Sequence, residues 1–365
     1  MRSIQVVNVR WFNATAWYGM YLSRLLLAAG HETLVLVLPD TLSAAKGREW
    51  NLPIRSLPLN TVTPWGIVGL YRELKTLVRE FRPDVVNCHR GESHVLWGLL
   101  KKELGGFKLV RTRGDRRPPK NNIVNRRLHN IVSDAVITTN SRMTRHFQDN
   151  FHIPPAKLHQ ILGGVDKSVF LPDDHARSRI RTEFNYTDKD FVVGLLGRFD
   201  RVKGQQELIK ALGGLRARGL TDLRLLLVGF DSATPESQVR EWLRQEDMEE
   251  ATIITGRRND IPQCLNALDL GVTASLWSES IARAALEIMA CGVPLIGTDV
   301  GVMPDLLTTD ALLAPGDVDA LARRIETAYR DAHFRENLRR IQRARMSELG
   351  GENFLAQTLN VYQNL

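Results

Sequence analysis

Strand-length apolar runs alternate with amphipathic stretches along nearly the whole chain, and that alternation restricts it to a parallel α/β architecture. In the first half the runs cover residues 4–9, 33–38, 84–88, 109–113 and 135–139, with helical patterns such as 65–81 and 92–104 between them. A second series covers 191–197, 223–229, 252–256, 270–274 and 293–297, each ending in a polar or glycine-bearing turn. Helical patterns close the chain at 318–329, 334–346 and 353–362. Two doubly wound sheets in tandem fit this order better than one large sheet, and 365 residues suffice for two domains with full cores. The stretch GGVDKSVFLPDD, from Gly163 to Asp174, combines glycine, proline and carboxylates and marks the boundary between them.

In such sheets ligands bind beyond the carboxyl ends of the strands, where the connectivity reverses. Two sheets facing each other would place Asn13, His89, Arg113–Asp115, Arg198–Lys203, Gly229, Arg257 and Glu279 on one opening.

Four segments could carry chemistry there. SESIARAALEIMACGVPLIGTD, residues 278–299, sets Glu279 and Glu287 eight residues apart. Ser278 reads as an N-cap, so Glu279 stands at the entrance of a helix and Glu287 inside it. At helical pitch the two are about 12 Å apart and about 80° apart in azimuth. They either hold two ends of one elongated ligand, with the N–H groups of Ser280, Ile281 and Ala282 beside Glu279, or lie solvated on a surface helix. Spacing alone does not choose.

GLLGRFDRVKGQQELIKAL, residues 194–212, runs strand, basic turn, helix. Arg198, Arg201 and Lys203 just before a helix N-terminus suit a diphosphate, although a solvated loop would read the same way. The lysine precedes the glycine, so this is not a Walker A loop. In TGRRNDIPQCLNALDLGV, residues 255–272, Gly256 and Arg257 follow a strand, as a close backbone approach to a planar base requires or as any βα turn would. His89 ends the strand of PDVVNCHRGESH, where it can orient a hydroxyl or serve structure alone. Cys88 beside it points to the opposite face of a strand, which argues against a nucleophile pair.

Charge is unevenly placed. Residues 1–165 hold 24 Lys+Arg against 11 Asp+Glu, whereas the remaining residues hold 25 against 30. The excess peaks between Arg111 and Arg127 and points to polyanions or an anionic membrane surface. No aromatic-and-basic recognition motif accompanies it, so nucleic acid is not expected. Cys88, Cys264 and Cys291 have no paired spacing, which indicates neither disulfides nor zinc and suits a reducing cytoplasm. No window reaches membrane-spanning length, and the N-terminus lacks the order of a signal peptide. Asp317–Val318–Asp319 opens a helix, where its carboxylates serve the helix dipole, and no catalytic metal is expected.

Taken together, GRFDRVKG, VGFD, TGRRNDIP and SESIARAALEIMACGVPLIGTDVG resemble, in order and spacing, the second domain of the retaining glycosyltransferases of family 4. This likeness covers residues 191–307. The first domain is similar through AAGHETLVLVLP, FRPDVVNCH and SDAVITTNSRMTRHF. The resemblance implies the GT-B fold: an acceptor-binding Rossmann-like domain over 1–165, a nucleotide-sugar donor domain over 166–348, and a C-terminal helix over 349–365 returning to the first domain.

It also implies roles. Arg198 and Lys203 match the pair that holds the donor diphosphate. Gly256 and Arg257 match the turn at the nucleotide base, Glu279 the glutamate by the donor sugar, Glu287 the one on ribose hydroxyls, and His89 a histidine near the transferred sugar. Gly19, Gly197 and Gly229 fall among the donor-side loops. Where the family has Gly-Phe-Gly after the first glutamate, this chain has Ser280–Ile281–Ala282. The paired glycines of the first loop are replaced by NATAWYG, in which only Gly19 supplies comparable freedom.

The implied activity is metal-independent, retaining transfer of a sugar from a nucleotide-diphosphate sugar, most simply a UDP-sugar, to a hydroxyl. The basic first domain directs the reading toward an anionic glycolipid or polysaccharide acceptor, as in lipopolysaccharide assembly, at the inner face of the cytoplasmic membrane. Arg113, Arg116, Arg117, Lys120, Arg126 and Arg127 would meet its phosphates, with Trp65 or Trp97 adding apolar area. A nucleotide-sugar epimerase and a non-catalytic nucleotide-sugar-binding protein are the alternatives.

Overall fold

Valine, isoleucine and leucine dominate the central strands because these are covered on both faces, as inner strands of parallel sheets are. The computed structural model describes residues 1–365 and contains two all-parallel sheets. The first is built from β1 (Arg2–Val7), β2 (Glu32–Val37), β3 (Ile54–Ser56), β4 (Val85–Cys88), β5 (Lys108–Arg113), β6 (Ala135–Thr138) and β7 (Leu158–Gln160). Its order is β3-β2-β1-β4-β5-β6-β7, so the connectivity reverses between β1 and β4, where Gln5 pairs with Asn87. The second contains β8 (Phe191–Leu196), β9 (Leu223–Val228), β10 (Thr252–Ile254), β11 (Leu270–Thr273), β12 (Leu295–Thr298) and β13 (Leu312–Leu313). Its order, β10-β9-β8-β11-β12-β13, reverses between β8 and β11. The half-buried β3 and the two-residue β13 were too short to leave a periodic signal.

The chain forms two compact units, residues 1–163 with 351–365, and residues 164–350. In the first, strand alternation sorts the core. Ile4, Val6 and Cys88 pack with Leu70, Leu74 and Trp97, from the helices Pro64–Phe81 and His94–Leu104. Val7, Val35 and Val37 face Ala16 and Met20 of the helix Ala14–Ala28. Each such aliphatic side chain, fully buried, contributes about 1.5–3 kcal/mol. Gln5 shares the second face, where the helix Gly351–Gln363 also packs. Phe354 meets the Tyr18 ring edge-on at 4.6 Å, and Asn87 Nδ2 donates to Tyr362 Oη at 2.7 Å.

Trp97 lies wholly within the first core. It cannot add apolar area to a binding surface, unlike Trp65, which is 86% exposed.

Candidate functional site

The carboxyl edge of the second sheet gathers most of the predicted residues. After β8 the chain turns through Gly197 and Arg198, whose guanidinium donates to Asp200 Oδ2 at 2.7 Å. Asp200 Oδ1 in turn accepts from the Val202 amide at 3.1 Å. Gly204, with φ 72°, then leads into the helix Gln205–Ala217. A Cβ on Gly204 would stand 2.0 Å from the Ala274 carbonyl oxygen, and one on Gly229 would stand 2.1 Å from that of Gly197. Glycine at these two points therefore lets the loops after β8, β9 and β11 close on one another.

That closure brings Lys203 onto Glu279. The Lys203 ammonium donates to Glu279 Oε1, which also accepts from Ser275 Oγ at 2.6 Å. Glu279 is only 6% exposed. Its carbonyl accepts from the Val302 amide at 2.7 Å, and a Cβ on Gly301 would lie 1.9 Å from that carbonyl oxygen. These contacts correct the expected helix entrance. The helix runs Arg283–Ala290, Ala282 before it is left-handed at φ 51°, and Ser278 caps nothing. Tertiary anchors on Glu279 outweigh the local helical pattern, so the pitch argument relating Glu279 to Glu287 does not hold. The free donors of the helix belong to Arg283 and the residues after it, while the side chains of Ile281 and Ala282 are buried.

Glu287 lies inside the helix and is 2% exposed. Arg283 Nε donates to its Oε1 at 2.6 Å, but its buried Oε2 has no hydrogen-bond partner. Burial raises its pKa, and Arg283 offsets part of that. An orphaned carboxylate oxygen in such a place can accept from a ligand hydroxyl. On the loop after β10, Gly256 has φ 65° with open space where a Cβ would stand. The Arg257 guanidinium lies 3.7 Å from the centroid of the Phe230 ring. Arg258 donates to Glu183 at 2.6 Å and to Asp260 at 2.7 Å, which holds the turn.

In the first unit, His89 follows β4 and is fully buried. Burial, then the charge of Arg111, push it down to about 3, so it is neutral at physiological pH. Its Nε2 stands 3.0 Å from Gln5 Oε1, while Gln5 Nε2 is directed to Ser3 Oγ at 3.3 Å and Tyr362 Oη at 3.4 Å. This network assigns the proton to Nε2 and leaves Nδ1, which has no partner, as an acceptor.

Two expectations change here. Residues 13–19 are not a flexible loop. Asn13 caps the helix Ala14–Ala28 by accepting from the Ala16 amide at 3.1 Å, and Gly19 is helical. A Cβ on Gly19 would come within 2.7 Å of Val7 and 3.0 Å of the His89 ring, so glycine serves close packing there. Nor is Arg113 part of an exposed surface. It is 7% exposed, with Nη1 3.1 Å from Asp115 Oδ2 and Nη2 donating to the Arg117 carbonyl at 2.9 Å. Burial, then Arg111, push it down to about 9. Arg116, Arg117, Lys120, Arg126 and Arg127 are exposed.

Sequence reasoning missed Ser275, Gln5, Tyr362 and Phe230. Gln5 and Asn87 did leave a signal, because a polar residue inside a strand buried on both faces needs a partner.

Residues 176–345 match the family model described as glycosyl transferases group 1, and residues 16–169 match that of glycosyltransferase family 4. The N-acetyl-alpha-D-glucosaminyl L-malate synthase of Bacillus anthracis is 24% identical over 298 residues, covering 77% of this chain and 75% of that protein. A D-inositol 3-phosphate glycosyltransferase of Pseudarthrobacter chlorophenolicus is 28% identical over 302 residues, covering 77% and 70%. Among solved structures, the Anabaena protein HepE in complex with UDP and glucose superposes with a TM-score of 0.85 at 19% identity, over 100% of both chains. The two family models together span most of the sequence, and the chain belongs to the family 4 glycosyltransferases, with the GT-B fold.

Proposed function

We propose that this glycosyltransferase moves a sugar, with retention of configuration, from a UDP-sugar to a hydroxyl of an anionic glycolipid or polysaccharide precursor of the cell envelope, of the lipopolysaccharide type. The observation that carries the reading is the Lys203–Glu279 pair, its carboxylate buried, where the second sheet reverses. A cation and a carboxylate held together there can separate onto a donor. Lys203, with Arg198, takes the diphosphate, and Glu279 takes the sugar. Negative charge grows on the leaving phosphate as the bond to the anomeric carbon breaks, and preorganised cations stabilise it without a metal. In a front-face displacement the acceptor oxygen bonds to that carbon, and its proton passes to the departing phosphate oxygen. No separate base is required.

The other assignments follow. The orphaned oxygen of Glu287 accepts from the ribose hydroxyls. Gly256 and Arg257 take the base, Gly197 and Gly229 shape the phosphate loop, and the loop Ser280–Ala282 borders the sugar. His89 is assigned to the transferred sugar, accepting through Nδ1. Gly19 acts by admitting that histidine. The complex of HepE with UDP supports the choice of base.

An anionic acceptor is supported by the names of the relatives, which include L-malate and D-inositol 3-phosphate. A membrane source is supported by the short helix Ile123–Arg127, where exposed Ile123 and Val124 stand beside Arg126 and Arg127. Apolar and cationic side chains together suit an anionic lipid interface on the cytoplasmic face.

The test is a panel of nucleotide sugars screened by thermal shift, followed by product analysis. A UDP-sugar should raise the midpoint. The transferred sugar should keep its anomeric configuration by NMR. An epimerised sugar from donor alone, or no response to any nucleotide sugar, would overturn the proposal.

A further inference from the structure

We propose that the first unit carries a site for one anionic group, a carboxylate or phosphate monoester of the acceptor, between Arg90 and Arg113 at the carboxyl ends of β4 and β5. The identity of the ligand as acceptor rests on the transferase reading above. The site itself rests on a charge imbalance and on an unpaired donor.

Three guanidiniums converge there on two carboxylates. Asp115 Oδ2 lies 3.1 Å from Arg111 Nη2 and 3.1 Å from Arg113 Nη1, and its Oδ1 lies 3.8 Å from Arg90 Nη1. Glu92 accepts from Arg90 Nε at 3.0 Å and, through its other oxygen, from Asn8 Nδ2 at 3.3 Å. Arg111 is wholly buried and donates to the Cys88 carbonyl at 2.8 Å, so its role is to hold the strand ends together. One positive charge remains without a counterion in a region that burial makes poorly solvated, and an uncompensated buried charge is costly.

Unused hydrogen-bonding capacity lies in the same place. The Nε–H of Arg113 is buried and has no partner. Arg90 and Asp115 are only partly covered, and the intervening Gly91 is exposed. A Cβ on Gly91 would lie 3.8 Å from Arg111 Nη2, which places this exposed residue over the cluster. A monoanion entering beside Gly91 balances the charge and accepts from Arg113 Nε. Guanidinium groups suit both carboxylate and phosphate geometry.

The experiment is titration calorimetry of the full chain with inorganic phosphate and with succinate, at saturating UDP so that the cations of the second unit are occupied. Glucose serves as the neutral control. Phosphate or succinate should bind, and both Arg113→Gln and the half-exposed Arg90→Gln should weaken that binding roughly ten- to hundredfold with UDP affinity unchanged. Arg90→Gln keeps the test valid if Arg113→Gln fails to fold. No measurable binding of either anion, or binding that survives both substitutions, would overturn the site. Failure of UDP itself to bind would count against the transferase reading and not against the site. Vesicles containing phosphatidylglycerol that displace phosphate in wild type but not in Arg90→Gln support the site with a lipid headgroup as its source. Arg90-dependent binding of phosphate that vesicles leave untouched supports it with a soluble acid.

Discussion

The Nε2 of His89 lies 3.0 Å from Oε1 of Gln5, and Gln5 is itself oriented by Tyr362 of the last helix. Histidine orientation in the first unit thus depends on a residue near the end of the chain. Tyr362→Phe should leave the buried Asn87 amide without its acceptor, and that of Gln5 with Ser3 Oγ alone, and cost about 1–3 kcal/mol. Denaturant titration should show a lower midpoint with an unchanged slope. An unaltered midpoint would refute this account of Tyr362.

Burial keeps His89 and His129 at about 3, well under the ordinary value, and lowers His94 as well. The unfolded chain therefore binds more protons than the native state between roughly pH 6.5 and 3. Stability is fully present above the unfolded value and is lost as pH falls through this window. Urea midpoints should drop from pH 7 to pH 5, above the range where most carboxylates titrate. A flat profile across that interval would contradict neutral burial of the three imidazoles.

Lys203→Ala removes a cation from the proposed diphosphate site and leaves Glu279 buried without its ion-pair partner. UDP affinity by calorimetry should fall roughly ten- to hundredfold. Glu279→Gln, in contrast, should keep UDP affinity and lose transfer, because its assigned partner is the sugar. Equal UDP affinity in Lys203→Ala and wild type would remove Lys203 from the site.

Ala282 occupies a left-handed conformation at φ 51° without help from a glycine. That conformation costs an alanine about 1–2 kcal/mol, partly offset by the greater unfolded-state entropy of glycine. Ala282→Gly should therefore stabilise the chain by about 0.5–1 kcal/mol. Destabilisation on the same scale would mean that the Ala282 methyl contributes packing exceeding the strain.

Ile123→Ser with Arg126→Ser and Arg127→Ser changes only exposed positions. Co-sedimentation with anionic vesicles at low salt should decline in this variant while UDP binding persists. Equal recruitment to neutral and anionic vesicles by the unmodified protein would dismiss the membrane part of the proposal.

Much of the architecture is legible because hydrophobic periodicity is local. The run at residues 223–229 matches β9 to within one residue, and the pattern at 65–81 matches the helix Pro64–Phe81, because every second or every third to fourth side chain must enter a core. The pairing of Lys203 with Glu279 was not legible. They are 76 residues apart in sequence and meet only because Gly204 and Gly229 let neighbouring strand ends approach. Residues 278–282 read as a helix start for the same reason. Nothing nearby in sequence reveals that Val302 and Gly301 hold the Glu279 backbone.

Residue type and spacing along the chain were enough to read the two parallel sheets, the segments at their carboxyl edges and the resemblance to family 4. That Arg113 is buried beside Asp115, that Gly19 packs on His89 and that Glu279 precedes its helix emerges in the folded chain alone. Burial and pairing arise from contacts between distant segments, and a local pattern carries no information about which partner, 23 residues away as Val302 is from Glu279 or 275 as Tyr362 is from Asn87, will satisfy a given polar group.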